Sequence, residues 1–235
     1  MPAMTDLVPR PAHGRVYETT RRVRLGDADR HGRLRLDALA RLLQDVGNDD
    51  MADAGHDPSS PWIARRTTVE VRAWPRIGER VSFATWCGGT GSHWAERRTS
   101  VAGGDVEVAA LWVHVDPASG RPARLPDWFL ATYGPAAGER RIKARLGHGE
   151  PPPGATSRPW PLRSTDLDVL GHVNNAATWQ AVEDELDRRG IVPARAELEY
   201  RAAIEPGDEV VLAASGDALW LVVDDDVRAS AVVSS

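Results

Sequence analysis

The sequence predicts an α+β fold repeated in tandem, each copy setting one long helix on an antiparallel β-sheet. Three observations predict it. The stretch RLGDADRHGRLRLDALARLLQDV, beginning at Arg24, rhymes with RSTDLDVLGHVNNAATWQAVED, beginning at Arg163. With Asp27 laid on Asp166, an offset of 139 residues, Asp29 falls on Asp168, Gly32 on Gly171, Leu34 on Val173 and Asp45 on Asp184. That offset is too long for a solenoid period and fits two copies of one small domain. Each motif runs into a stretch of helical periodicity and then into strand-like segments. Between the copies lies GPAAGERRIKARLGHGEPPPGATSRP, whose proline and glycine content is that of a linker. The expected boundaries are 14–134 for the first copy, 135–159 for the linker and 160–235 for the second copy.

The elements follow in chain order. MPAMTDLVPRPAHG has no apolar signal core and reads as a lead-in arm. RVYETTRRVRL is extended, and Leu36, Leu39, Leu43 and Val46 then recur at helical spacing. TTVEVRAW, ERVSFATWC, HWAERRTSVA and VEVAALWVHVD are β-branched and aromatic-rich, and PRIGE, GGTGS and AGGD punctuate them as turns. In the second copy TSRPWPLRS is extended, and Trp179, Val182 and Leu186 mark the helix face. AELEYRAAI, DEVVLAAS, ALWLVVDDD and VRASAVVSS supply its strands.

Composition narrows the function classes. The 235 residues give ample core. The net charge of −5 leaves no overall basic footprint for nucleic acid. The local pairs Arg65–Arg66 and Arg97–Arg98 can face an acidic partner, although such pairs are more often solvated strand residues. No apolar run approaches the roughly 18 residues of a membrane helix, so no membrane partner is expected. One cysteine, Cys87, cannot form an internal disulfide, and the cytoplasm is the default location. Cys87 itself ends a strand beside a turn and reads as a packing residue. GGTGS lacks the Lys-Ser/Thr of a phosphate loop, and DDD at Asp224 lacks a calcium-ligand pattern. The seven histidines show no metal-ligand spacing, so neither metal nor organic cofactor is expected. Six of the nine tryptophans fall in the first copy and its tail; they suit a deep apolar pocket, and equally a plain core.

The polar chemistry is concentrated in DLDVLGHVNN, residues 166–175. A helix starting near Asn174 or Asn175 can take either asparagine as its N-cap. Its first-turn amides then face the loop and can hold a carbonyl or an anion. Asp168 and His172 in the same loop offer a carboxylate and an imidazole for acid–base work. The competing reading is structural: Asx-turns at Asp166 and Asp168, a cap at Asn174, a satisfied His172. The first copy keeps the aspartates and the glycine but places Arg33 where the second has His172. Residues unique to the second copy, His172, Asn174 and Asn175, are therefore the sharper functional candidates.

The motifs RVRLGDADRHGRLRLDALARLLQDVG, WIARRTTVEV, LWVHVDPASGRPARLP, DLDVLGHVNNAATW and AELEYR resemble the acyl-ACP thioesterase family over nearly the full length. The resemblance implies two hot-dog domains in one chain, each with its helix wrapped by the sheet. It implies hydrolysis of a fatty acyl thioester, with the acyl chain in the first copy and the chemistry on the second. The family motif D-x-N-x-H-V-N-N carries over to Asp168, His172, Asn174 and Asn175, whereas its asparagine falls on Leu170 and its further acidic position on Ala203, near Glu205. Expected catalytic residues are Asp168, His172 and Asn174, with His172 as base oriented by Asp168 and backbone N–H groups near Val173 and Asn174 holding the oxyanion. Expected substrate contacts are Gly171, Val173, Asn175 and Trp179. The partner is an acyl carrier protein or CoA thioester, and the tandem chain suits a monomer or a homodimer. An acyl-CoA thioesterase, a non-catalytic acyl binder and, more remotely, a dehydratase remain open alternatives.

Overall fold

The computed structural model describes residues 8–57, 62–169 and 171–235. The first copy holds β1 (Val16–Arg22), α1 (Leu36–Asp53), β2 (Trp62–Val71), β3 (Arg80–Thr90), β4 (Trp94–Val101) and β5 (Val106–His114). A further helix, α2 (Asp127–Ala137), follows it. The second copy holds β6 (Thr156–Pro159), α3 (Asn175–Arg189), β7 (Arg195–Tyr200), β8 (Val211–Ser215), β9 (Ala218–Val223) and β10 (Asp226–Ser234). The fold is the α+β arrangement expected, repeated in tandem.

The ten strands of the described residues form one antiparallel sheet in the order β1-β3-β4-β5-β2-β7-β10-β9-β8-β6. The order of the first five strands is that of the last five reversed, as an internal two-fold requires. The copies join where β2 pairs with β7, with Thr67 opposite Leu198 and Val69 opposite Ala196. The two long helices pack against each other. Their apolar faces (Leu36, Leu39 and Val46; Trp179, Val182 and Leu186) enter one continuous core with Val69, Val108, Leu198 and Ala231. Non-directional burial of this shared apolar surface binds the halves together.

The sequence reading did not anticipate α2. Gly134–Pro135 looks like a break, but in the structure it falls near the helix's end. Burial of Phe129 and Tyr133 with Cys87 and Ala95 holds the helix in place. Composition also understates how firmly the proline-rich segment is held. Glu199 accepts the Gly147 and His148 N–H groups at 2.7 and 3.0 Å. The Trp220 indole N–H donates to the Gly149 carbonyl at 2.8 Å. His148 Nε2 lies 3.3 Å from Glu197 Oε1, and its Nδ1 3.8 Å from Glu199 Oε2. This juxtaposition, invisible in histidine spacing, clamps the segment onto β7 and β9.

The Arg97–Arg98 pair is not solvated. Arg98 is buried against Glu96 at 2.9 Å, and Arg97 reaches buried Asp50 at 2.6 Å. Asp224 and Asp225, both at positive φ, form the tight turn between β9 and β10. Among the described residues no helix is long and apolar enough to cross a membrane.

Candidate active site

The loops before α1 and α3 repeat bond for bond. Asp27 N–H donates to Arg24 O at 3.0 Å, and Asp166 N–H to Arg163 O at 3.0 Å. Gly32 and Gly171 donate to the carbonyls of Asp29 and Asp168, each at 3.0 Å. Both glycines sit at positive φ, +78° and +81°, a left-handed turn that glycine adopts without a Cβ penalty. Asp27 and Asp166 turn their carboxylates back onto the N–H groups of Arg24 and Arg163 at 2.8 and 2.9 Å. These two aspartates therefore build the loop.

Asn174 is the N-cap of α3: its Oδ1 accepts from Ala176 N–H at 2.8 Å. The backbone N–H groups expected to hold an oxyanion are engaged elsewhere. Val173 donates to Ile204 O at 3.0 Å and Asn174 to Asp166 O at 2.8 Å. The next amide, that of Asn175, has no acceptor among the described residues. It stands at the first turn of α3, where the helix dipole favours developing negative charge.

A cavity of about 300 Å³ opens at this point. Trp62, Trp86, Trp112, Phe129 and Tyr133, all supplied by the first copy and α2, line its apolar part. Asp168, Asn174 and Asn175 line it from the second copy, and Gln44 and Asn48 from α1. Three of the six early tryptophans thus serve a pocket. Cys87 also lines it; burial pushes its thiol up to about 11, so it is a neutral wall and not a nucleophile. Trp179 is fully buried and lines a smaller neighbouring cavity with Asn175, Gln44 and Tyr200. Deep in the larger cavity Arg97 is neutralised by Asp50, which Arg15 also binds at 2.7 Å.

His172 is absent from the cavity lining. Its imidazole is half exposed, and Nε2 lies 3.4 Å from Glu205 Oε1. The structure therefore brings an acidic partner to His172 from two residues beyond Ala203. Gly171 is exposed at the loop's tip and Val173 is half-buried beneath it. Leu170 lies outside the described residues. Sequence reasoning missed Gln44 and Asn48, which sit one helical turn apart on α1; the offset of 139 that pairs Gln44 with Glu183 was the signal for the first of them.

Comparison with known proteins agrees with this architecture. The sequence model of the acyl-ACP thioesterase N-terminal domain matches residues 14–133. That of the acyl-ACP thioesterase C-terminal domain matches residues 150–226. The uncharacterized protein Rv2001 of Mycobacterium tuberculosis is 35% identical over 237 residues, spanning 97% of this chain and 95% of its own length. The 12:0-ACP thioesterase of Umbellularia californica superposes with a TM-score of 0.79 at 20% identity, over 94% of this chain and 97% of that one. An acyl-ACP thioesterase of Bacteroides thetaiotaomicron gives 0.74 at 18% identity, over 93% and 96%. These structures share the tandem hot-dog fold. The family supports thioester hydrolysis in general terms, and by the two domain matches the chain belongs to the acyl-ACP thioesterase family.

Proposed function

We propose that the chain hydrolyses fatty acyl thioesters of acyl carrier protein and releases free fatty acid during fatty acid biosynthesis. One observation carries this reading: the aromatic-lined cavity of the first copy ends on Asp168, Asn174 and Asn175 of the second. An apolar pocket with a few convergent polar groups is what an acyl thioester needs.

In this reading the acyl chain fills the aromatic end, and the thioester carbonyl rests at the first turn of α3. Asp168 takes a proton from water, whose oxygen attacks the carbonyl carbon. The Asn175 N–H and the α3 dipole stabilise the oxyanion. Collapse breaks the C–S bond and frees the fatty acid. The carrier thiolate regains a proton, and the His172–Glu205 pair at the rim is available to supply it. Asn174 holds the helix start, and hence the amides, in place. The paired arginines already have partners within the chain: Arg65 Nη1 donates to Arg201 O at 3.0 Å and Arg66 Nη1 to Arg145 O at 3.1 Å.

Rates measured on matched acyl-ACP and acyl-CoA substrates test the carrier assignment. Faster turnover of acyl-ACP supports it, and a clear preference for acyl-CoA replaces it with the CoA reading. Acyl binding without turnover on either carrier would make the protein an acyl binder.

A further inference from the structure

This inference rests on the hydrolase reading and deepens it. The internal repeat makes equivalents of Asp29 and Asp168, Arg33 and His172, Arg35 and Asn174, and also of Glu183 and Gln44, and Asp187 and Asn48. In the first copy the Arg33 guanidinium is buried between two carboxylates. Its Nε donates to Asp29 Oδ2 at 2.9 Å, and Nη2 donates to Glu183 Oε1. The other Glu183 oxygen accepts the Leu36 N–H at 2.9 Å, at the first turn of α1.

The second copy has the same frame without the guanidinium. His172 turns to Glu205, and Asp168, Gln44 and Asn175, the mates of Asp29, Glu183 and Leu36, all line the open cavity. The correspondence is wider than one residue. Asp29, Arg35, Glu183 and Asp187 line a surface pocket in the first copy, and their four mates line the cavity mouth. Charged side chains line one pocket, while amides and one carboxylate line the other. Gln44 is half-buried, and no hydrogen bond ties its amide to any described residue.

We propose that the attacking water occupies the place equivalent to the Arg33 guanidinium, bridging the Asp168 carboxylate and the Gln44 side-chain carbonyl. Asp168 takes one water proton. Gln44 Oε1 accepts the other as a hydrogen bond and aims the oxygen lone pair at the thioester carbon. Gln44, carried on the helix of the first copy, is thus a catalytic residue for chemistry on the second.

The test is steady-state hydrolysis of acyl-ACP by the full chain as wild type, Gln44→Ala and Gln44→Met, with urea unfolding of each. Gln44→Met keeps the length and removes the amide, so it serves where Gln44→Ala fails to fold. The expected result is a fall in kcat of about 10²-fold, with KM within about twofold and an unchanged unfolding midpoint. Gln44→Glu sets a second carboxylate opposite Asp168 and moves the acid limb of the pH–rate profile upward. The other titratable groups lining the cavity (Cys87 of β3, Glu96 and Arg97 of β4, Tyr133 of α2) are untouched by the exchange. Wild-type turnover with kcat unchanged in Gln44→Met overturns this inference and leaves the hydrolase reading standing. A raised KM at unchanged kcat also overturns it, by making Gln44 a binding group only. No turnover of any acyl thioester by the wild type overturns the hydrolase reading, and this inference with it.

Discussion

Arg33 and His172 occupy equivalent places in two copies of one loop and are used in opposite ways. Arg33 is buried and binds Asp29 and Glu183, whereas His172 is half exposed and faces Glu205. A hot-dog pair built from identical chains has two equivalent sites. In this tandem chain one of the two equivalent places is a charge-paired joint and the other a cavity.

The joint is structural. Glu183 is buried and accepts from Arg33 and from the Leu36 N–H, so it ties α3 to the start of α1. Glu183→Ala removes one of the two partners of a buried guanidinium, a change that costs roughly 3 kcal/mol. Urea unfolding checks this, and an unchanged midpoint contradicts it.

Asn174 has a capping duty. Asn174→Ala loses the bond from Ala176 N–H and costs about 1 kcal/mol of stability. Because the same residue fixes the first turn of α3, activity falls along with stability. Asn174→Asp keeps a cap oxygen and retains the stability. Thermal unfolding and acyl-ACP turnover of both variants read these effects separately.

In the proposed reading the cavity sets the length of the acyl group. At about 300 Å³ it lies at the small end of ligand pockets, roughly 300–1,000 Å³. Ala95 is buried in its wall beside Phe129 and Tyr133. Ala95→Phe shortens the space and moves the preferred chain length downward. The kcat/KM for the longest accepted chain drops at least about tenfold, a change of 1.4 kcal/mol, while short chains are spared. A uniform loss across all lengths contradicts this.

Two hydrogen-bonded carboxylates, Glu185 buried and Glu197 half-buried, make the fold acid-sensitive. Burial pushes Glu185 up, but hydrogen bonds from Arg188, Arg189 and Arg158 outweigh it and bring the carboxyl down to about 2. Burial likewise opposes ionisation of Glu197, and His148, Thr68 and the nearby Arg195 and Arg66 bring it to about 2. Both folded values lie below the ordinary 4.5. Their stabilisation is therefore full above that value and is lost as pH falls toward about 2. Unfolding midpoints between pH 6 and pH 2.5 test this: Glu185→Gln flattens the decline, and an identical decline in the variant contradicts the assignment.

Much of this was legible because it is local. Within each copy the aspartate loop and its glycine turn, and in the second the Asn174 cap, depend on residues within ten positions of each other. The strands followed from alternation and turn chemistry. What depends on tertiary placement was not legible. Gln44 meets Asn175 only because α1 packs on α3. Glu205 reaches His172 only because the chain beyond β7 returns beneath the loop, where Ile204 O accepts the Val173 N–H. The Val173 and Asn174 amides are oxyanion donors by sequence position alone, but the Ile204 and Asp166 carbonyls engage both. Helix α2 was hidden by Gly134–Pro135, which its buried aromatic side chains override.

The most direct test of the central claim is hydrolysis of a C8 to C18 series of acyl-ACP and acyl-CoA thioesters by wild type, Asp168→Asn and His172→Ala. The account predicts wild-type turnover and a loss of about 10²–10⁴-fold in Asp168→Asn, with acyl binding retained. It predicts a smaller loss in His172→Ala, whose side chain stands at the rim. Full activity in Asp168→Asn would contradict the account.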